Sequence, residues 1–237
     1  MSLFSWQEGA WSQLTKNNKM HHAYLFVGAS GAGLEKFAST FAQSLICSKL
    51  KDTNEPCGIC QDCQWLLTEH PNLQVIDNSA EDSSSNNISI ESIRNLKRFF
   101  ELSSHQIGGN KVILIHNAES LTLNAANALL KILEEPPENS YLILTTNSIS
   151  ALLPTIISRC LIVSCPKPTN DEARQFLKLE GYENLSSQLP LFNNLPLDLI
   201  ANQSENELFE TIIEEFKKGK DFELMTIESK WLSGDFS

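Results

Sequence analysis

Residues 23–35 read Ala23-Tyr-Leu-Phe-Val-Gly28-Ala-Ser-Gly31-Ala-Gly33-Leu34-Glu35: an apolar run, a glycine-rich turn, then a stretch of helical periodicity that continues to Leu45. A buried strand, a tight loop and a helix is the layout of a phosphate-binding loop, and Gly28 and Gly33 keep the glycine spacing of the G-x-x-x-x-G-K-[ST] template. The lysine of the template is Leu34 here, and its Ser/Thr is Glu35. A working loop sets an ammonium on the β- and γ-phosphates and a hydroxyl on Mg²⁺. Leucine brings no charge, and Glu35 brings a negative one. Two readings stand side by side. One is the relic of a nucleotide site, the other an ordinary glycine turn packed closely between strand and helix, with Glu35 favouring the helix dipole.

Working outward, the pattern predicts alternating strands and helices. Trp6 to Leu14 has the spacing of an amphipathic helix, and Leu73-Gln-Val-Ile-Asp77 reads as a second strand. The polar stretch 78–87 reads as a surface loop. Ser89 to Glu101 is expected to be helical, with Ile90, Ile93, Leu96, Lys97 and Phe100 along one side, and Gly108-Gly109 turns into a strand over Lys111–His116. Ala126, Leu129, Leu130 and Leu133 recur at helical spacing before Pro136-Pro137 stops the run. Tyr141–Thr145 and Leu161–Ser164 complete the strands. Continuous apolar strands interleaved with helices imply an α/β fold with a parallel sheet and helices on both faces.

A boundary is expected near Pro166-Lys-Pro168, after which Thr169-Asn-Asp-Glu172 fits a capping box and opens a helix through Leu179. The expected organisation is a first domain over 1–165 with a cysteine module at 47–63, a small helical domain over 166–205, and a short helical remainder over 206–237.

A second defect accompanies the first. An ATPase of this layout carries an Asp and a Glu at the end of the third strand, and those positions are His116 and Asn117. Neither supplies a carboxylate to Mg²⁺, and Glu119 is expected to be displaced and to face solvent. The two defects together favour an ATPase-like fold with an inactive site. A shifted lysine, Lys36, is the weaker alternative, because it falls two residues later on another side of the helix.

Cys47-x9-Cys57-x2-Cys60-x2-Cys63 offers four thiolates in a compact insert. Such spacing suits a tetrahedral structural Zn²⁺ site. A disulfide framework is a poor alternative in a reducing cytoplasm, and a redox pair is disfavoured because two Cys-x2-Cys turns share Cys60. Cys160 and Cys165, near the last strand, read as buried apolar residues.

The chain has 237 residues and a formal net charge of −11, with 18 basic and 29 acidic side chains. That balance argues against a protein whose affinity rests on neutralising phosphates directly. No run reaches transmembrane length and the start lacks the blocks of a signal peptide, so the expectation is a cytoplasmic protein with no membrane contact. Of the four arginines, Arg159 stands out, between Ser158 and Cys160 just before the last strand. It reads either as a surface arginine salt-bridged at a helix end or as a guanidinium offered to a neighbour's γ-phosphate.

His22-Ala-Tyr-Leu-Phe-Val-Gly28, Ala125-Ala-Asn-Ala-Leu-Leu-Lys131, Leu133-Glu-Glu-Pro-Pro137 and Ser158-Arg-Cys160 together resemble the bacterial clamp-loader family of AAA+ proteins. The likeness covers roughly residues 1–205 and includes the module cysteines. It implies an AAA+ fold with a helical lid, in a non-hydrolysing subunit of the DNA polymerase III holoenzyme that binds no ATP of its own. The implied partners are the gamma/tau and delta subunits, with the sliding clamp and primed DNA reached through the complex. The likeness further implies that Arg159 completes an adjacent subunit's ATP site, and that Thr145 and Asn147 occupy a sensor position, here structural. The likeness also implies a further helical collar domain, of which 206–237 is expected to be a short remnant, either because this member is short or because the chain is incomplete. A zinc-containing protein-binding module, or a weakly active ATPase outside replication, is the competing reading.

Overall fold

The computed structural model describes residues 3–16, 20–66, 70–77, 87–101 and 109–202. The polar stretch 78–86, Gly108 and the expected remainder at 206–237 lie outside them, as do residues 203–205 at the end of the expected helical domain and the side chain of Lys97.

Five parallel strands form one sheet in the order β2-β3-β4-β1-β5. They are β1 (Ala23–Val27), β2 (Leu73–Ile76), β3 (Lys111–Ile115), β4 (Ser140–Thr146) and β5 (Leu161–Ser164). The central strands β1, β3 and β4 are buried almost throughout, which is why they read as unbroken apolar runs. The edge strands β2 and β5 are largely exposed.

Side-chain alternation along the strands supplies two cores. Ala23, Leu25, Ile113, Ile115, Leu142 and Leu144 face α4 (Ile90–Glu101), α5 (Leu123–Glu134) and the short α6 (Pro154–Ile157). On the other face, Tyr24, Phe26, Val112, Leu114 and Ile143 meet α1 (Glu8–Lys16) and α2 (Leu34–Ile46). Phe26 and Phe37 are completely buried there, each stabilising the fold by roughly 1.5–3 kcal/mol. Ile93 and Leu96 anchor α4 as its periodicity requires. Thr122 caps α5 by accepting from Ala125 N.

The cysteine insert follows α2 and contains the short α3 (Gln61–Trp65). Trp11 Nε1 donates to Thr53 O at 2.8 Å, tying the insert to α1. Beyond the sheet, the expected capping box is formed: Glu172 N donates to Thr169 Oγ1, and Thr169 N donates back to the Glu172 carboxylate. It opens α7 (Asn170–Leu179), followed by a 3-10 stretch over Glu183–Phe192 and α8 (Pro196–Ala201). Pro190 lies inside this stretch and contributes no backbone N–H to it. This lid has its own core of Ala173, Leu177, Leu185, Leu189 and Leu199.

Candidate functional site

The turn after β1 is held by Gly28 N donating to Thr146 O and Cys165 N donating to Val27 O. A Cβ on Gly28 would lie 2.9 Å from Cys165 Cβ, so the first glycine of the template is needed for packing. Ser30–Ala32 form a 3-10 turn, and Gly33 adopts φ +82°, a left-handed conformation that favours glycine. Leu34, at the lysine position, is 2% exposed within the α1–α2 core. Glu35 is exposed.

The mouth of this loop is filled by the chain itself. Trp6 Nε1 and Gln7 Nε2 both donate to Ala32 O, at 2.9 and 3.1 Å, and Gln7 Nε2 also reaches Gly33 O at 3.0 Å. The Phe4 ring lies where a Cβ on Gly33 would come within 2.4 Å of it, and it stacks on Trp6 at 4.7 Å. Phe176 of α7 meets both rings edge-on. Asp198 of α8 sits against Gly31. The Lys36 ammonium rests 3.9 Å from the centre of the Phe4 ring rather than in the loop, and burial lowers its pKa although Glu180 opposes this.

At the end of β3, His116 is buried, with Nδ1 3.4 Å from Thr145 Oγ1. Burial depresses its pKa, against the pull of Glu35 and Asp77, which favours a neutral imidazole. Asn117 turns through φ 51° and donates its N–H to Thr145 Oγ1 at 3.2 Å. Thr145 thus supports a backbone turn, and Asn147 is exposed. Glu119 departs from the expectation of a solvent-facing side chain. It is half-buried, Oε1 accepts from Asn147 N at 3.5 Å, and Oε2 is buried with no partner among the described residues. The turn at Ala118–Ser120 folds it back onto the loop after β4.

Cys47, Cys57, Cys60 and Cys63 bring their sulfurs within 4.8 Å of one another, and all are free thiols. Sulfur separations of 3.5 Å (47–63), 3.8 Å (47–60) and 3.9 Å (57–63) match the edge of about 3.8 Å expected for a tetrahedron with metal–sulfur bonds near 2.3 Å. Backbone N–H groups of Ile59 and Cys60 point at Cys57 Sγ, and that of Cys63 at Cys60 Sγ. Burial pushes Cys60 up, but the Cys63 N–H and neighbouring hydroxyl and thiol groups outweigh it and bring the thiol down to about 6. Burial raises Cys63. Four soft donors in this arrangement could hold a metal ion.

A support unforeseen in the sequence lies beneath the module. Asp62 and His70 are both buried, with Nε2 3.6 Å from Oδ1. Asn72 N donates to Nδ1, so the ring proton sits on Nε2, facing the carboxylate. Only the position of Asp62 between two cysteines hinted at this. Cys165 is buried as expected and Cys160 half-buried, with thiols pushed up to about 11 and about 12 by burial.

Arg159 follows α6. Its Nη2 donates to Glu134 Oε1 at 2.7 Å and its Nη1 to Thr155 O at 3.0 Å, while the side chain stays 36% exposed. Ser158 Oγ shares the Thr155 carbonyl. The ion pair foreseen at a helix end is therefore present, and the guanidinium remains accessible.

A family model described as DNA polymerase III, delta subunit, matches residues 7–169. The delta' subunit of DNA polymerase III from Pseudomonas aeruginosa is 34% identical over 223 residues, covering 91% of this chain and 66% of that protein. The delta' subunit of Haemophilus influenzae is 34% identical over 80% of this chain and 56% of its own length. The tau/gamma subunit of the same organism is 39% identical over 62% of this chain and 20% of its own length. The chain thus spans less than two-thirds of the length of these delta' relatives. Among the described residues, no helix is long and apolar enough to cross a membrane.

Proposed function

The chain belongs to the DNA polymerase III delta-subunit family, and from that membership we propose that it is a non-hydrolysing, delta'-type stator of a bacterial clamp loader. The observation that carries this reading is the filled phosphate loop. Leu34 is committed to the core, Phe4 covers Gly33, and the acid of Asp198 stands against Gly31. A triphosphate entering there would have to displace an aromatic ring and meet a carboxylate in place of an ammonium and Mg²⁺. His116 and Asn117 supply no carboxylate at the strand end.

Without a nucleotide of its own, the subunit contributes to hydrolysis through Arg159, offered in trans to the ATP of an adjacent gamma/tau subunit. The partly exposed fork between Ser158 and Cys160 suits phosphate oxygens, because a guanidinium stays charged and binds in a plane. The gamma/tau and delta subunits are its partners, with the sliding clamp and primed DNA met through the complex in the cytoplasm. The four cysteines hold one structural Zn²⁺. Four thiolates leave no open position for water, so the metal stiffens the insert and performs no hydrolysis. Residues 1–165 act as the AAA+ unit and 166–205 as its lid.

Gel filtration of the purified chain with gamma/tau and delta tests the assembly directly. Co-elution of the three in one complex is expected. A chain that elutes alone under conditions where gamma/tau and delta associate overturns the assignment.

A further inference from the structure

Glu134 closes the last turn of α5 and is the first acid of Leu133-Glu-Glu-Pro-Pro137. A carboxylate at a helix C-terminus faces the negative end of the dipole, so nothing in α5 itself favours it there. Its place is nevertheless fixed. His22 Nε2 donates to Leu133 O at 3.1 Å, and Leu142 N donates to His22 O at 2.8 Å, tying the end of α5 to the sheet. What faces the carboxylate is Arg159, held from two sides by Glu134 and by the Thr155 carbonyl of its own turn.

We infer that Glu134 is a positioning residue that holds Arg159 in one outward pose, so that a γ-phosphate on an adjoining subunit meets an already oriented guanidinium. This rests on the reading of Arg159 given above. A guanidinium has five N–H donors; among the described residues Glu134 engages it through Oε1 alone and Nη1 reaches Thr155 O and Ser158 Oγ, which leaves donors for phosphate oxygens. An unheld arginine must lose rotamer freedom when it engages. Glu134 removes part of that cost beforehand. Both side chains are partly exposed, at 36% and 50%, so the effect is modest.

The test is a double-mutant cycle in the reconstituted complex, reading DNA- and clamp-stimulated ATP turnover. Glu134→Ala is expected to lower kcat about two- to fivefold, the range an exposed ion pair supports, with KM for ATP unchanged. The deficit should shrink as salt rises, because an ion pair between partly exposed side chains is weakened by added salt. In the Arg159→Ala background, Glu134→Ala should change nothing further. An equal loss in both backgrounds, or a loss indifferent to salt, overturns the inference. So does a complex sensitive to Arg159→Ala but not to Glu134→Ala. Indifference to Arg159→Ala itself overturns the reading of the arginine, and this inference with it. Gel filtration of each variant separates these outcomes from failed assembly.

Discussion

The carboxylate of Asp198 lies so close against Gly31 that a Cβ built on the glycine would stand 2.3 Å from Asp198 Oδ2. The lid is therefore seated on the loop that, in an active site of this layout, receives phosphate. Burial holds the Asp198 carboxyl above its ordinary range. The folded protein thus binds this proton more readily than the unfolded chain, so the group costs stability as pH rises from the ordinary carboxylate pKa through the raised one, and the cost is complete above it. Asp198→Asn should raise the thermal midpoint at neutral pH, and the gain over wild type should fade as pH falls through that window. A difference that stays constant with pH rules this account out.

Gly33 is the stricter position of the loop. An alanine there meets both the positive φ and the Phe4 ring. Gly33→Ala should cost about 1–3 kcal/mol by urea denaturation. Gly31→Ala should cost less, because the Asp198 carboxylate can swing aside whereas the stacked Phe4 ring is hemmed in by Trp6 and Phe176. Equal costs at the two glycines would contradict the packing described.

Calorimetric titration with Mg-ATP should show no binding in the micromolar range, about −8 kcal/mol. Restoring the template with Leu34→Lys and Glu35→Thr should not create a site. Leu34 belongs to the core, so losing it should cost about 2–5 kcal/mol, while Phe4 and Asp198 still fill the mouth. Micromolar affinity in either protein counts against the filled loop.

Metal analysis after purification without chelators should give one zinc per chain, and Cys60→Ser should reduce it below about half an equivalent. Because Trp11 Nε1 is bonded to Thr53 O within the insert, chelation should shift tryptophan emission. The sheet, whose strands do not include these cysteines, should remain folded by circular dichroism. Full metal retention in the variant would exclude Cys60 as a ligand.

The parallel sheet was legible because its central strands are buried on both faces and so carry no polar alternation. The cysteine module and the Thr169–Glu172 box were legible because each is specified within a few residues. What fills the loop was not. Gln7 reaches Gly33 across 26 residues and Cys165 across 158, and no local pattern marks Phe4 or Asp198 as its occupants. Glu119 misled for the same reason: its polar neighbourhood suggests solvent, yet a tertiary turn folds it against Asn147. Glu134 was visible as part of a motif, but its partner lies 25 residues away.

Arg159 separates structure from catalysis. Its ion pair with Glu134 joins side chains 36% and 50% exposed, so Arg159→Ala should cost the isolated chain less than about 1 kcal/mol and leave zinc content and assembly unchanged. If the guanidinium completes a neighbour's ATP site, the same substitution should cost that site about 10³-fold or more in turnover. The remaining sites of the complex dilute the loss seen in bulk. Arg159→Lys should restore little, because an ammonium presents a point charge where a planar fork spans two phosphate oxygens. The pair of variants distinguishes charge from geometry: full rescue by lysine would mean that any cation serves, and normal turnover in the alanine variant would make Arg159 a surface ion pair and nothing more.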